Sequence, residues 1–454
     1  MSDNTNGNQV FFPEVPTKIE YKGTSDEGTT DPLCFRYYNP EEVILGKKMK
    51  DWLKFSICFW HTFVGGGGAD PFGVPTLGRP WEDGLEPNSM ELAKRRIDVA
   101  FELFTKLQIE YYTFHDTDVT PPGANFNEFL SNCDEISDYL LKKQEETGVK
   151  LLWATQNLFT HPRYMNGGMT NPDVNVFCFA AAQIQKVMDI NYKLGGSNHV
   201  FWGGREGYQS MLNTNMKLEC DHMAAIYKMA VKYKESKGYT AQFLIEPKPR
   251  EPTKHQYDYD AQTTIAFLRT YGLEDHFKLN IEPNHTTLAG HEAVHDIYVS
   301  SIYDMLGSID SNTGDTLLGW DTDNFPMDVN QTTAVMSVVL EQGGFTTGGL
   351  NFDCKVRRES VDPIDLFIGH IGAMDTYALG LRKAALMKER GELQAMLNER
   401  YLSWKVSTIG QKIEAGTATL EECAEYAKSQ SEEPKSTSAK QELYEIVRNR
   451  YIHG

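Results

Sequence analysis

Acidic side chains close a series of short apolar runs along this 454-residue chain. They are Glu246 in Glu246-Pro247-Lys248, Glu282 in Glu282-Pro283-Asn284-His285, Asp310 and Asp353. Asp321-Thr322-Asp323 lies between the last two. Carboxylates with a single imidazole are hard, oxygen-rich ligands suited to Mg, Mn or Co rather than to a structural zinc. Gathered in one place, six carboxylates carry about −6, and like charges that close cannot all ionise unpaired. Lys248 offsets one of them, and two divalent cations bring the sum to about −1. A carboxylate shared between two cations would make a two-metal site. Taken singly, each residue has a plainer use: a strand-end acid caps a helix, a lysine sits on the surface, a histidine packs in a core, and Trp60 and Trp202 fill space. The argument therefore depends on what brings them together.

The elements that must do so alternate. From about residue 52, a short apolar run of strand length precedes a longer run of helical length, eight times over. The expected strands are 53–61, 109–115, 149–155, 199–202, 242–246, 277–282, 306–310 and 349–353; they are rich in aromatic and branched residues, as buried parallel strands are. One helix should start at Pro87-Asn88-Ser89 and run to Lys106. Others should stop at Gly148, Gly195-Gly196, Gly238, Gly272, Gly307 and Gly343-Gly344, where a helix end favours glycine. Strand–helix alternation implies a parallel sheet, and eight repeats imply an α/β fold of the (β/α)8 TIM-barrel type, with a doubly wound sheet as the alternative. In such a barrel the C-terminal strand ends share one mouth, which gathers the acids, His115-Asp116-Thr117-Asp118, Trp60-His61 and Trp202. Residues 1–50 read as an N-terminal extension wrapping the barrel at 51–388. Residues 389–454 read as a charged C-terminal helical arm that packs on a partner subunit.

Charge narrows the function classes. Lys plus Arg is 44 against 63 Asp plus Glu, a net −19. That argues against a nucleic-acid or anionic-membrane partner, since phosphate binding depends on basic side chains. No window approaches a membrane span, and the start lacks the basic and apolar regions of a signal peptide. Seven scattered cysteines without a CxxC pair fit reduced thiols in a reducing compartment, so a cytoplasmic location is expected. No dinucleotide or P-loop fingerprint is present, and Gly65–Gly68 reads as a flexible loop. His291-Glu292-Ala293-Val294-His295 matches the HExxH zinc-peptidase pattern on an expected helix. Because that helix follows strand six on the outside of the barrel, it reads as a solvated face.

Longer stretches carry a resemblance. Phe114-His115-Asp116-Thr117-Asp118, Asn157-Leu158-Phe159, Val200-Phe201-Trp202-Gly203-Gly204-Arg205-Glu206-Gly207, Ile245-Glu246-Pro247-Lys248-Pro249, Gly319-Trp320-Asp321-Thr322-Asp323 and Asn351-Phe352-Asp353 resemble the longer-chain class of xylose isomerase. The likeness runs from Trp60-His61-Thr62-Phe63 to the tail. It implies a metal-dependent aldose–ketose isomerase acting on D-xylose and D-glucose. One metal would sit among Glu246, Glu282, Asp310 and Asp353, and a second among Glu282, His285, Asp321 and Asp323. His115, oriented by Asp118, would open the sugar ring, and Lys248 would polarise the carbonyl at C1. Trp60, Phe159, Trp202 and Thr155 would line the sugar channel, and Phe72 would reach into a neighbouring subunit's site within a homotetramer, a dimer of dimers. Three positions depart from the pattern: Thr117 replaces a basic residue, and Pro283 and Cys354 each replace an alanine.

Rival readings predict different residues. An abasic-site nuclease should carry a histidine-rich zinc cluster and a basic groove. A sugar epimerase would not need the pair Lys248 and His115. A non-catalytic binder should have lost a ligand or one of that pair.

Overall fold

The computed structural model describes residues 9–25, 31–64, 78–357 and 359–454. Eight short runs pair in parallel and close on themselves. They are β1 (Phe55–Cys58), β2 (Tyr111–His115), β3 (Lys150–Thr155), β4 (Asn198–Trp202), β5 (Gln242–Glu246), β6 (Phe277–Ile281), β7 (Leu306–Asp310) and β8 (Leu350–Phe352). Each strand pairs with its sequence neighbours, and β8 returns to β1 through Leu350↔Phe55 and Phe352↔Ile57. Closure leaves no edge, so every strand has a partner on both sides. Buried on both faces, the strands read as apolar runs rather than as alternation.

The helices are amphipathic covers for this barrel. They are α1 (Met90–Leu107), α2 (Phe126–Thr147), α3 (Val174–Lys193), α4 (Met216–Lys237), α5 (Ala261–Tyr271), α6 (His295–Ile302), α7 (Val329–Glu341) and α8 (Ile364–Arg390). Ser89 caps α1 by accepting from the Leu92 N–H at 3.1 Å, and Leu92, Ile97, Ala100, Phe104 and Leu107 form its buried stripe. Gly148 closes α2 with φ +78°, a left-handed conformation that costs glycine least.

Gly307 differs from the expectation. It lies inside β7 rather than ending a helix, because α6 already stops at Ile302 and the chain turns through Asp304. A Cβ at Gly307 would come within 2.4 Å of Leu244 Cδ2, so close strand packing, not helix capping, demands glycine there.

Outside the barrel, the N-terminal segment is pinned by backbone hydrogen bonds to one carboxylate. Asp375 of α8 accepts from the N–H groups of Arg36, Tyr37 and Tyr38 at 2.7–2.8 Å, and Phe12 packs edge-on against Phe367 at 5.0 Å. After α8 the chain forms a string of short helices. The last, Gln441–His453, buries Val447 and Ile452 while Arg448 donates to the Asn330 carbonyl at 2.8 Å. Leu402, Trp404, Val406 and Leu420 of this tail are exposed.

Candidate active site

Four strands end in the acids that the spacing singled out. Glu246 and Asp310 are the last residues of β5 and β7, Glu282 follows β6 as the N-cap of a short helix (Pro283–Leu288), and Asp353 follows β8. Proline at the first position of that helix needs no N–H partner, so Pro283 supports the turn that aims Glu282 inward. A carboxylate oxygen from each of Glu246, Glu282, Asp310 and Asp353 lies within 4.8 Å of the others, and all four are buried. Glu282 also belongs to a second group with Asp321 and Asp323, and to a third with Glu246 and His285. His285 Nε2 stands 3.1 Å from Glu282 Oε2 and 3.0 Å from Asp321 Oδ2. Glu282 is therefore the one carboxylate common to all three groups.

Amides and cations hold this acid cluster in place. Asn280 donates to Glu246 and Asn351 to Asp310, each at 2.9 Å. Asn312 Nδ2 reaches Glu282 Oε1 at 2.7 Å, the Asp353 carbonyl at 3.1 Å and Asp323 Oδ1 at 3.2 Å, tying the two halves together. Lys248 Nζ donates to Asp321 Oδ2 at 2.9 Å and lies 5.3 Å above the Trp202 ring. Lys355 Nζ donates to Asp323 Oδ2 at 3.1 Å. His61 Nε2 bridges Asp323 Oδ2 at 3.0 Å and Asp353 Oδ1 at 3.1 Å.

The other wall is aromatic. Trp60 Nε1 donates to Asp353 Oδ1 at 2.8 Å, and its ring meets the His115 imidazole edge-on at 4.5 Å. Phe159 stands 5.4 Å from His115 and 4.4 Å from Trp202. His115 Nδ1 lies 3.1 Å from Asp118 Oδ2, which also accepts from the His115 backbone N–H at 2.7 Å. Thr155 is buried beside β4, donating its hydroxyl to the Val200 carbonyl at 2.8 Å. Gly204 is required next to Trp202, because a Cβ would come within 2.3 Å of the indole. Phe72 and the Gly65–Gly68 loop lie outside the described residues.

Burial sets the electrostatics. It pushes Glu246 well above the usual carboxylate range, with the charges of Asp310 and Asp353 adding to it. Burial also raises Glu282 strongly, helped by Asp321, Asp353 and Asp323, and it lifts Asp310 to about 8, with Asp353 next to it. At Asp321 burial pulls the same way, but the charges of Lys248 and His285 outweigh it and hold the carboxyl well below its ordinary value. Burial opposes protonation of His61, yet Asp323 and Asp353 overcome it and raise the imidazole to about 9. Left alone, this mouth compensates its acids with protons and two lysines. Among the described residues, Glu282 Oε2, Asp310 Oδ2 and His285 Nδ1 are buried without a hydrogen-bond partner. Orphaned buried acceptors on converging carboxylates are what a divalent cation would satisfy, and the oxygen-rich donor set suits that class of ion.

The structure thus brings together Glu246, Glu282, His285, Asp310, Asp321, Asp323, Asp353, Lys248 and Trp60, and joins His115, Asp118, Phe159 and Trp202 to them through the Trp60 ring. The placement of Trp60 and His61 differs from a strand end: β1 stops at Cys58 and both occupy a helical turn, Phe59–Thr62. The departures have local reasons. Thr117 Oγ1 accepts from Asn157 Nδ2 at 2.9 Å, steadying the turn before Phe159. Cys354 Sγ donates to the Ser311 carbonyl at 3.0 Å. Residue-type reasoning set His61 at the mouth without a role there, and passed over Lys355, Asn312 and Asn284, whose side-chain amide donates to Asp321. Lys355 had a signal, since it follows Asp353 by two residues as Lys248 follows Glu246. The asparagines had none.

HExxH also differs from its expectation. His291 precedes α6 and only His295 lies within it, so the motif is not one helical face.

A closed (β/α)8 barrel whose mouth holds six acids, two bridging imidazoles and a buried lysine defines a metal-dependent barrel enzyme. Among known proteins, the chain is 53% identical over 441 residues to the xylose isomerase of Rhodopirellula baltica, covering 97% of this chain and 99% of that one. It is 51% identical over 446 residues to the xylose isomerase of Arabidopsis thaliana, covering 98% and 92%. A family model described as the XylA2 C-terminal domain matches residues 397–452. Among solved structures, D-psicose 3-epimerase from Clostridium cellulolyticum H10 gives a TM-score of 0.49 at 13% identity, covering 72% of this chain and 99% of that one, a likeness too distant to bear on function. The chain belongs to the xylose isomerase family.

Proposed function

We propose that this chain interconverts D-xylose and D-xylulose, and D-glucose and D-fructose, by ring opening followed by a hydrogen shift from C2 to C1. The observation that carries the reading is Glu282, one carboxylate shared by three of the acid groups of the mouth, together with Lys248 on Asp321 and the His115–Asp118 pair. Two cations of the Mg, Mn or Co class are proposed. Glu246, Glu282, Asp310 and Asp353 would hold one; Glu282, His285, Asp321 and Asp323 would hold the other. When bound, they supply Lewis-acid polarisation of the sugar's O1 and O2.

The chain's own groups account for the rest. Asp118 accepts from His115 Nδ1, which leaves Nε2 to take the proton of the ring hydroxyl and return it to the ring oxygen. The opened aldehyde then presents O1 to the Lys248 ammonium, which donates a hydrogen bond to the oxygen that gains negative charge. Hydrogen moves with its electron pair from C2 to C1, O2 gives up its proton, and O1 ends as a hydroxyl. Trp60, Phe159 and Trp202 exclude water from that step, so solvent protons do not enter the product. Thr155 lies beside them, its hydroxyl turned to the Val200 carbonyl.

Homotetrameric assembly is also proposed, with Phe72 completing a neighbour's site. Supporting it are the exposed apolar side chains along the C-terminal arm. Among the described residues no helix is long and apolar enough to cross a membrane, and a cytoplasmic location is proposed alongside.

Adding metal to EDTA-treated protein with D-xylose tests the function. Xylulose should form with Mg, Mn or Co and not without. Epimerised ketose with no xylulose would replace this reading with an epimerase.

A further inference from the structure

The peptidase-like motif leaves behind a second cluster that the sugar chemistry does not use. His291 and His295 stack with ring centroids 4.4 Å apart and planes 27° from parallel. Asp296, the next residue, is 3% exposed. Its Oδ2 accepts from the Ala261 N–H at 3.1 Å. Its Oδ1 has no partner among the described residues, and neither does the buried Nε2 of His295. One ligating atom from each of His291, His295 and Asp296 lies within 4.8 Å of the others. Asp260 Oδ2 stands 3.3 Å from His291 Nε2 while its other oxygen caps α5 through the Thr263 N–H at 2.7 Å.

We propose that His291, His295 and Asp296 form a metal site separate from the mouth, taking a borderline divalent ion of the zinc type. Two imidazoles and one carboxylate are the donors of such ions, whereas in the mouth six carboxylates outnumber the imidazoles of His61 and His285. None of the three residues belongs to any of the acid groups of the mouth. Asp260 plays the part of the carboxylate that orients a metal-bound imidazole. A purely structural cluster would not strand a buried carboxylate oxygen and a buried ring nitrogen within reach of one another. Half-buried His291 and His295 leave the ion a route in from solvent.

The site has a mechanical consequence. It joins the start of α6, which follows the helix bearing His285, to the start of α5, which follows the loop bearing Lys248. An ion there would fix the segment 291–296, which carries the hydrogen bonds to Asp260 and Ala261 at the start of α5. Glu292 is exposed and takes no part, so the site is structural rather than peptidolytic. This inference stands whether or not the sugar reading holds.

The test uses the full chain, stripped with EDTA and dialysed against micromolar zinc chloride with excess magnesium. Zinc per chain is then measured by mass spectrometry. His291→Ala and His295→Ala should each bind about one zinc equivalent less than the unaltered chain, and the zinc-induced rise in melting temperature should vanish in both. Equal zinc content in all three proteins would overturn the site. Should either variant fail to fold, His291→Gln and His295→Gln, which keep a side chain of similar size, are measured in the same way; a folded variant with the zinc content of the unaltered chain would refute the proposal.

Discussion

Replacing Glu282 by glutamine should change stability in opposite directions with and without metal. The substitution keeps the shape and the Oε1 acceptor for Asn312, and removes one charge from each of the three acid groups that share Glu282. At the 4.8 Å limit of those groups, two like charges repel by about 3–4 kcal/mol at an effective dielectric of 20. Part of that repulsion is already relieved by protonation, since burial and neighbouring carboxylates raise Glu282, and Asp310 sits at about 8. A gain of about 1–3 kcal/mol in EDTA is therefore expected. With metal the sign reverses. Each cation loses a charged ligand worth about 1.5–3 kcal/mol, so each affinity should fall about 10–100-fold. Urea denaturation in EDTA and in saturating Mn, with titration calorimetry for each cation, measures both. Equal destabilisation under both conditions, or unchanged affinity for either cation, would refute the shared-ligand argument.

Other outcomes follow from single contacts. Lys248→Met should lower kcat about 10²–10³-fold, as for loss of one preorganised donor, with KM for xylose little changed; a kcat within threefold of normal would remove Lys248 from the chemistry. Asp118→Asn frees the His115 tautomer and should slow turnover of cyclic xylose far more than that of an open-chain aldehyde analogue; equal slowing in a steady-state comparison would place the pair elsewhere. His199 is buried, with its Nε2 2.9 Å from Gln156 Oε1, and burial lowers it to about 3. The unfolded chain protonates this imidazole near 6.5, so its contribution is intact above that pH and falls by up to ~1.4 kcal/mol per pH unit between about 6.5 and 3. Urea titrations at pH 7 and 5 should show this slope, and His199→Gln should flatten it; an unaltered slope in the variant would contradict the assignment.

Much of the barrel is legible in the residues because its strands are buried on both faces. β5 and β7 start and stop where the apolar runs do, while β1 ends three residues early: Phe59–Thr62 keeps apolar character after turning helical, and no periodicity separates a buried strand end from a buried helical turn. Gly307 was ambiguous for a related reason, since glycine serves a helix end and a crowded strand alike. The acids were legible by type and by strand-end position. Their supports were not: Asn312 and Asn284 act through distances set by the register of β6 and β7, which spacing along one chain does not encode. His61 was visible as a polar residue after β1, but its reach to Asp323 and Asp353 depends on the helical turn that carries it.

The most direct test of the central claim is proton NMR of D-xylose turned over in D₂O by metal-loaded protein. Xylulose without deuterium at C1 is predicted, because the hydrogen travels from C2 behind a wall of Trp60, Phe159 and Trp202. Xylulose carrying solvent deuterium at C1 would contradict the direct shift and require an enediol with a side-chain base.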